Sequence, residues 1–105
     1  MSSQVLFLPE ATAELEDTIR WYEQRHSGLG LAFLAAFDTA IQSVTRWPKA
    51  GAPVTGVATD LDIRRIRVGR FPYHLAYLVA DTGIHVLAVV HDRRRPGYWH
   101  QRTGI

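Results

Sequence analysis

The chain has no cysteine, one methionine and a single lysine among its 105 residues. Without cysteine, disulfides and thiolate metal sites are excluded. No apolar run approaches the roughly 18–20 residues that a membrane-spanning helix needs. The start, Met1-Ser2-Ser3-Gln4, carries no basic flank, and the apolar stretch from Val5 to Leu8 is too short for a secretory signal. These absences predict a cytoplasmic protein with no membrane partner. The sequence also lacks internal repeats, low-complexity tracts, a G-x-S-x-G elbow, a P-loop and a dinucleotide fingerprint. Gly28-Leu29-Gly30 follows no strand and reads as a turn between helices. No His/Asp/Glu cluster shows a metal-ligand spacing: His85 and His91 lie six apart on one predicted strand. Neither a metal nor a cofactor is expected.

What is present suits one folded domain over residues 1–105, with 47% hydrophobic and 21% charged residues. The net charge of +2 hides an asymmetry. Residues 1–60 hold four basic and seven acidic residues, a net −3, whereas residues 61–105 hold eight and three, a net +5. Apart from Lys49, every cation is arginine. Arginine pairs with phosphate or carboxylate through two parallel N–H groups and stacks on rings, which lysine does not. The basic half therefore points to RNA, DNA or an acidic peptide, or else to simple solvated charge.

Hydrophobic spacing predicts the elements. Gln4 to Leu8 reads as a short strand. Pro9 suits the first turn of a helix, where its missing N–H costs nothing, and Ala11, Leu15, Ile19 and Tyr22 form its buried stripe. Ser27-Gly28 ends that helix. Phe33, Leu34, Phe37, Ile41 and Val44 mark a second helix closed by Trp47-Pro48. A three-residue link makes the two an antiparallel hairpin that needs a sheet to cover its apolar faces. Lys49 to Asp62 shows no period and reads as a loop. Ile63–Val68 alternates charged and apolar residues, whereas Tyr73–Val79 and Gly83–Val90 are apolar on both faces, as central strands are. The expected fold is α+β, in the order β-α-α-β-β-β. Its helical hairpin packs on one face of a mainly antiparallel four-stranded sheet, leaving the other face for function.

The densest chemistry lies in His91-Asp92-Arg93-Arg94-Arg95-Pro96-Gly97-Tyr98-Trp99. Cleaving RNA by transesterification needs a base for the 2′-hydroxyl, a cation for the phosphorane and an acid for the leaving oxygen. His91 titrates near neutrality and suits base or acid. Arg65, Arg67, Arg93, Arg94 or Arg95 suits the phosphate, and Tyr98 suits base stacking or proton donation. The same run also reads as a solvated tail or a docking patch. Tyr98 and Trp99 follow a Pro-Gly turn, which fits a pair folding back over an open core. His74 sits in a central strand, and Trp21 lies beside Tyr22 off the buried stripe, as an interface residue would.

The segments LPEATAELEDTIRWYEQ, FLAAFDTAIQSVTRWPKAG, IRRIRVGRFPYHLAYLV and VLAVVHDRRRPGYW, in that order from about Val5 to Trp99, resemble the RelE/ParE superfamily of type II toxin–antitoxin toxins. The resemblance implies the same β-α-α-β-β-β fold and a cognate antitoxin that wraps the toxin's surface. It implies one of two targets: RelE-like members cut mRNA on the ribosome, and ParE-like members poison DNA gyrase. RelE-like catalysis, independent of metal, would fall on His91, Arg93, Arg94 and Tyr98. Arg65, Arg67, His74, Arg95, Trp99 and Trp21 would contact substrate or partner. The sheet lysines of some family nucleases are missing, and His74 stands where many members have arginine. The WP…G loop, GRFPY and H-x-R-R resemble the ParE branch, so gyrase inhibition is expected. Ribosome-dependent mRNA cleavage and a degenerate, non-toxic member are the alternatives.

Overall fold

The computed structural model describes residues 4–56 and 60–103. Residues 57–59 of the expected loop, and both chain ends of the expected 1–105 domain, lie outside the described residues. Strand β1 (Gln4–Phe7) runs into helix α1 (Pro9–Arg25), with Pro9 in the first turn as expected. Helix α2 (Leu29–Arg46) begins four residues before Phe33, earlier than its apolar period indicates. The reason lies on α1. Its Glu23 carboxylate accepts the N–H groups of Gly28 at 2.9 Å and Gly30 at 3.0 Å. It thereby supplies the negative charge that the first turn of α2 lacks. Gly28, at φ +89°, makes the turn between the helices.

Four more strands follow: β2 (Ala52–Pro53), β3 (Asp62–Arg67), β4 (Tyr73–Ala80) and β5 (Gly83–His91). The sheet order is β1-β5-β4-β3-β2, so the sheet has five strands rather than the expected four. The extra strand lies inside the stretch read as a loop. Its two residues pair antiparallel with Arg65 and Arg64 of β3. Pro53 is tolerated there because an edge strand can spare an N–H. Tertiary bonds hold β2 where local propensity does not. The Tyr77 hydroxyl accepts the Gly51 N–H at 2.9 Å and donates to the Pro48 carbonyl at 2.8 Å. The Arg64 guanidinium donates to the Gly51 carbonyl at 2.9 Å. Among the described residues, only β1 is parallel to its neighbour, β5.

The helices cover one sheet face through Tyr22, Phe33, Phe37 and Val44, packed on Leu75, Tyr77, Ile84 and Val89. Phe33 and Phe37 are fully buried, and side chains of this size contribute on the order of 1.5–3 kcal/mol each. The opposite face is only partly open. Trp99, 4% exposed, folds back onto Ile63, Ala76, Leu87, Ala88 and Val90 as a second, smaller core. A short 3-10 helix, His100–Thr103, ends the described chain.

Candidate functional site

Strand pairing decides which side chains meet. Arg67 lies opposite His74, and His74 opposite Val90, so all three point away from the helices, with Arg65 two residues along the same face. His91 pairs instead with Tyr73. Its ring meets the Tyr73 ring edge-on at 4.9 Å, on the side that carries α1. His74 and His91 therefore lie on opposite faces of the sheet.

On the uncovered face the charges are organised by Asp92. Its Oδ1 lies 3.2 Å from His74 Nδ1 and its Oδ2 accepts from Arg67 Nη1 at 3.2 Å. Burial pushes the Asp92 carboxyl upward, but the bonds from His74 and Arg67 outweigh it and hold the group below its usual value. A cavity of about 410 Å³ opens beside this cluster. Arg65, His74, Asp92, Arg94 and His100 line it together with the apolar Val54, Val90 and Trp99. An adjoining cavity of about 380 Å³ shares Arg65, His74 and Asp92 and adds Arg67. Arg93 and Arg95 are exposed on the turn that follows.

Tyr98 is not free. Its hydroxyl donates to Glu14 Oε2 at 2.6 Å, and Arg102 grips the same carboxylate at 2.9 and 3.0 Å. Burial, reinforced by the bond to Glu14, pushes the Tyr98 phenol far above its ordinary value of 10.0. Arg94 stacks over the Tyr98 ring at 4.1 Å. Glu14, Arg102 and Asp92 are the residues that sequence reasoning passed over. A signal existed for Glu14: it lies in line with Ala11 and Thr18 at helical spacing, so it faces inward. Trp21, 47% exposed, lies on the helix side, where it lines a groove of about 530 Å³ with Tyr22, Tyr73 and His91. Trp99, expected among the partner contacts, is 4% exposed and packs in the second core, although it also lines the cavity.

The expected catalytic set therefore divides. His91 is on the helix side, Tyr98 is tied to Glu14, and Arg94 reaches the open-face cavity with Arg65 and His74. Among the described residues, no three acidic or histidine side chains converge as a metal site, and no helix is long and apolar enough to cross a membrane.

A family model described as the ParE toxin of the type II toxin–antitoxin system parDE matches residues 5–96. The chain belongs to the ParE toxin family. A solved structure titled "Chromosomal ParDE TA system from P. aeruginosa" is similar in fold, with a TM-score of 0.68. The two chains are 16% identical over 86% of this chain and 96% of that one, so the likeness concerns the fold. No curated protein matches the sequence. As the toxin of a two-component system, this ParE chain has a cognate antitoxin as its partner. The ParE match ends at Pro96, so the Tyr98–Glu14–Arg102 anchor uses two residues beyond it.

Proposed function

We propose that this ParE toxin, when free of its antitoxin, arrests growth by docking on DNA gyrase and performs no chemistry on RNA. One observation carries the reading. His91 and Tyr98, the pair that RNA transesterification would use here, do not face one site: the histidine ring packs against Tyr73 and the phenol hydroxyl is held by Glu14. A phenol held protonated by burial and by a neighbouring carboxylate is a poor proton relay near neutrality. Arg65, Arg67, His74, Arg94 and Arg95 then serve recognition. Two measurements test the reading together: gyrase supercoiling in vitro with the purified toxin, and mRNA cleavage mapped in cells expressing it. Loss of supercoiling with intact mRNA is expected. Cleaved mRNA with normal supercoiling would overturn it.

A second reading, ribosome-dependent mRNA cleavage, is favoured by the His74–Asp92 pair. A carboxylate at Nδ1 orients a histidine and leaves Nε2 for a substrate, as general bases require. In that case His74→Ala, rather than His91→Ala, abolishes cleavage.

A further inference from the structure

We propose that the cavity on the uncovered sheet face binds a phosphate group carried by a nucleotide, either free or as one residue of a single strand. Charge is the first argument. Asp92 is the one anion in the wall, and both its oxygens are engaged, by His74 and Arg67. Among the described residues, the Arg65 side chain makes no hydrogen bond or ion pair, and the Arg94 side chain makes only a ring stack on Tyr98. Two guanidinium groups thus face the cavity with their N–H donors unspent, the arrangement that suits a multi-oxygen anion. With Nδ1 of His74 turned to Asp92, Nε2 is the ring nitrogen left for a third contact.

Size and polarity are the second argument. About 410 Å³ lies within the range of small-ligand sites and exceeds what a bare anion fills. The apolar side chains of Val54, Val90 and Trp99 form part of its wall. A nucleobase or ribose has surface to place there. An acidic peptide side chain satisfies one guanidinium fork and leaves that wall unused, so the phosphate of a nucleotide is the better fit. The site does not depend on the gyrase reading, because its occupancy is measured on the isolated toxin.

The test is a titration of the purified full-length toxin, followed by NMR shifts and calorimetry, with adenosine 5′-monophosphate, inorganic phosphate, adenosine and oligothymidylate. The mononucleotide should bind saturably, about tenfold more tightly than phosphate or adenosine alone, one charge-assisted contact being worth about that factor. Arg65→Ala and Arg94→Ala should each weaken it by about tenfold, while Arg70→Ala, exposed outside the cavity, leaves it unchanged. If Arg94→Ala disturbs the fold through Tyr98, Arg65→Ala decides alone, with its melting curve as control. Tighter binding of oligothymidylate than of the mononucleotide assigns the phosphate to a strand; weaker binding assigns it to a free nucleotide. Absence of saturable binding overturns the proposal, as does equal loss in Arg70→Ala. Arginine variants that lose only antitoxin binding, with no nucleotide response in the parent, overturn it in favour of an acidic-peptide site.

Discussion

The Tyr98 hydroxyl and Glu14 Oε2 meet at 2.6 Å, joining the turn before the 3-10 helix to the first helix across 84 positions of sequence. The contact completes a sheet edge. Strand β1 ends at Phe7 because Pro9 starts α1, and the last strand-like bond on that edge runs from Leu8 N–H to the Val86 carbonyl at 3.1 Å. Beyond it, side chains take over. Glu14 accepts the Val89 N–H at 3.0 Å, and Arg102 donates to the Leu87 carbonyl at 3.1 Å. Backbone groups of a half-covered strand are satisfied without a strand beside them.

Glu14→Ala removes the acceptor shared by Tyr98, Arg102 and the Val89 N–H. It should destabilise by about 2–4 kcal/mol, between the value of a charged hydrogen bond and that of a buried ion pair. Tyr98→Phe removes one donor and leaves the ion pair, at a cost of about 1–2 kcal/mol. Urea midpoints measure both. Equal effects would show that the ion pair with Arg102 contributes nothing.

Stability should fall at both ends of the pH scale. The folded Tyr98 phenol, raised by burial and by Glu14, holds its proton above the unfolded value of 10.0, so its contribution is complete below pH 10 and is lost as pH rises towards the folded value. Tyr22 and Tyr77, also raised by burial, add to this alkaline limb, so Tyr98→Phe should flatten it without removing it. Asp92 is held below 3.8, so its contribution is present above that value and is lost as pH falls through the folded one. Thermal melts across pH, with Arg67→Ala flattening the acid limb, check both signs.

Gly51→Ala should detach β2. A Cβ there would lie 2.6 Å from the Arg65 carbonyl oxygen, which is backbone and cannot swing aside. The strain is of the kind that costs about 1–3 kcal/mol. Hydrogen exchange at Val54, whose N–H donates to the Ile63 carbonyl at 2.9 Å, should accelerate with it.

Antitoxin binding should weaken with salt. Residues 61–105 carry a net +5, and screening shortens the reach of exposed charge to about 3 Å at 1 M. Affinity measured from low to high salt is expected to drop severalfold, chiefly through the association rate. A constant affinity would assign the interface to apolar contacts.

Much of this architecture was legible along the chain because it is local. The 3.6-residue period of Phe33, Phe37 and Val44 specifies α2 whatever it packs against, and the double-sided apolarity of β4 marks a central strand. The ordered segments also carry the resemblance to the RelE/ParE superfamily, and the family match agrees with it. The site was less legible. That His74 and Arg67 share a face with Arg65 follows from the β3–β4 register, and that His91 does not follows from its pairing with Tyr73. A shift of one residue would exchange the faces, and period-two apolar strands carry no internal mark of which face the helices will take.

The extra strand β2 and the Glu14 anchor were beyond local reading for the same reason. Ala52-Pro53 has no strand propensity of its own and is held by Tyr77 and Arg64 from other strands. Glu14, Tyr98 and Arg102 meet only after the sheet and hairpin have assembled. The sequence by itself determined the two long helices and the four other strands, their order, the family and the arginine-rich half, all properties of residues close in the chain. Only the tertiary structure decided which arginines and which histidines share a cavity, because register and long-range hydrogen bonds set that choice once the chain has closed on itself.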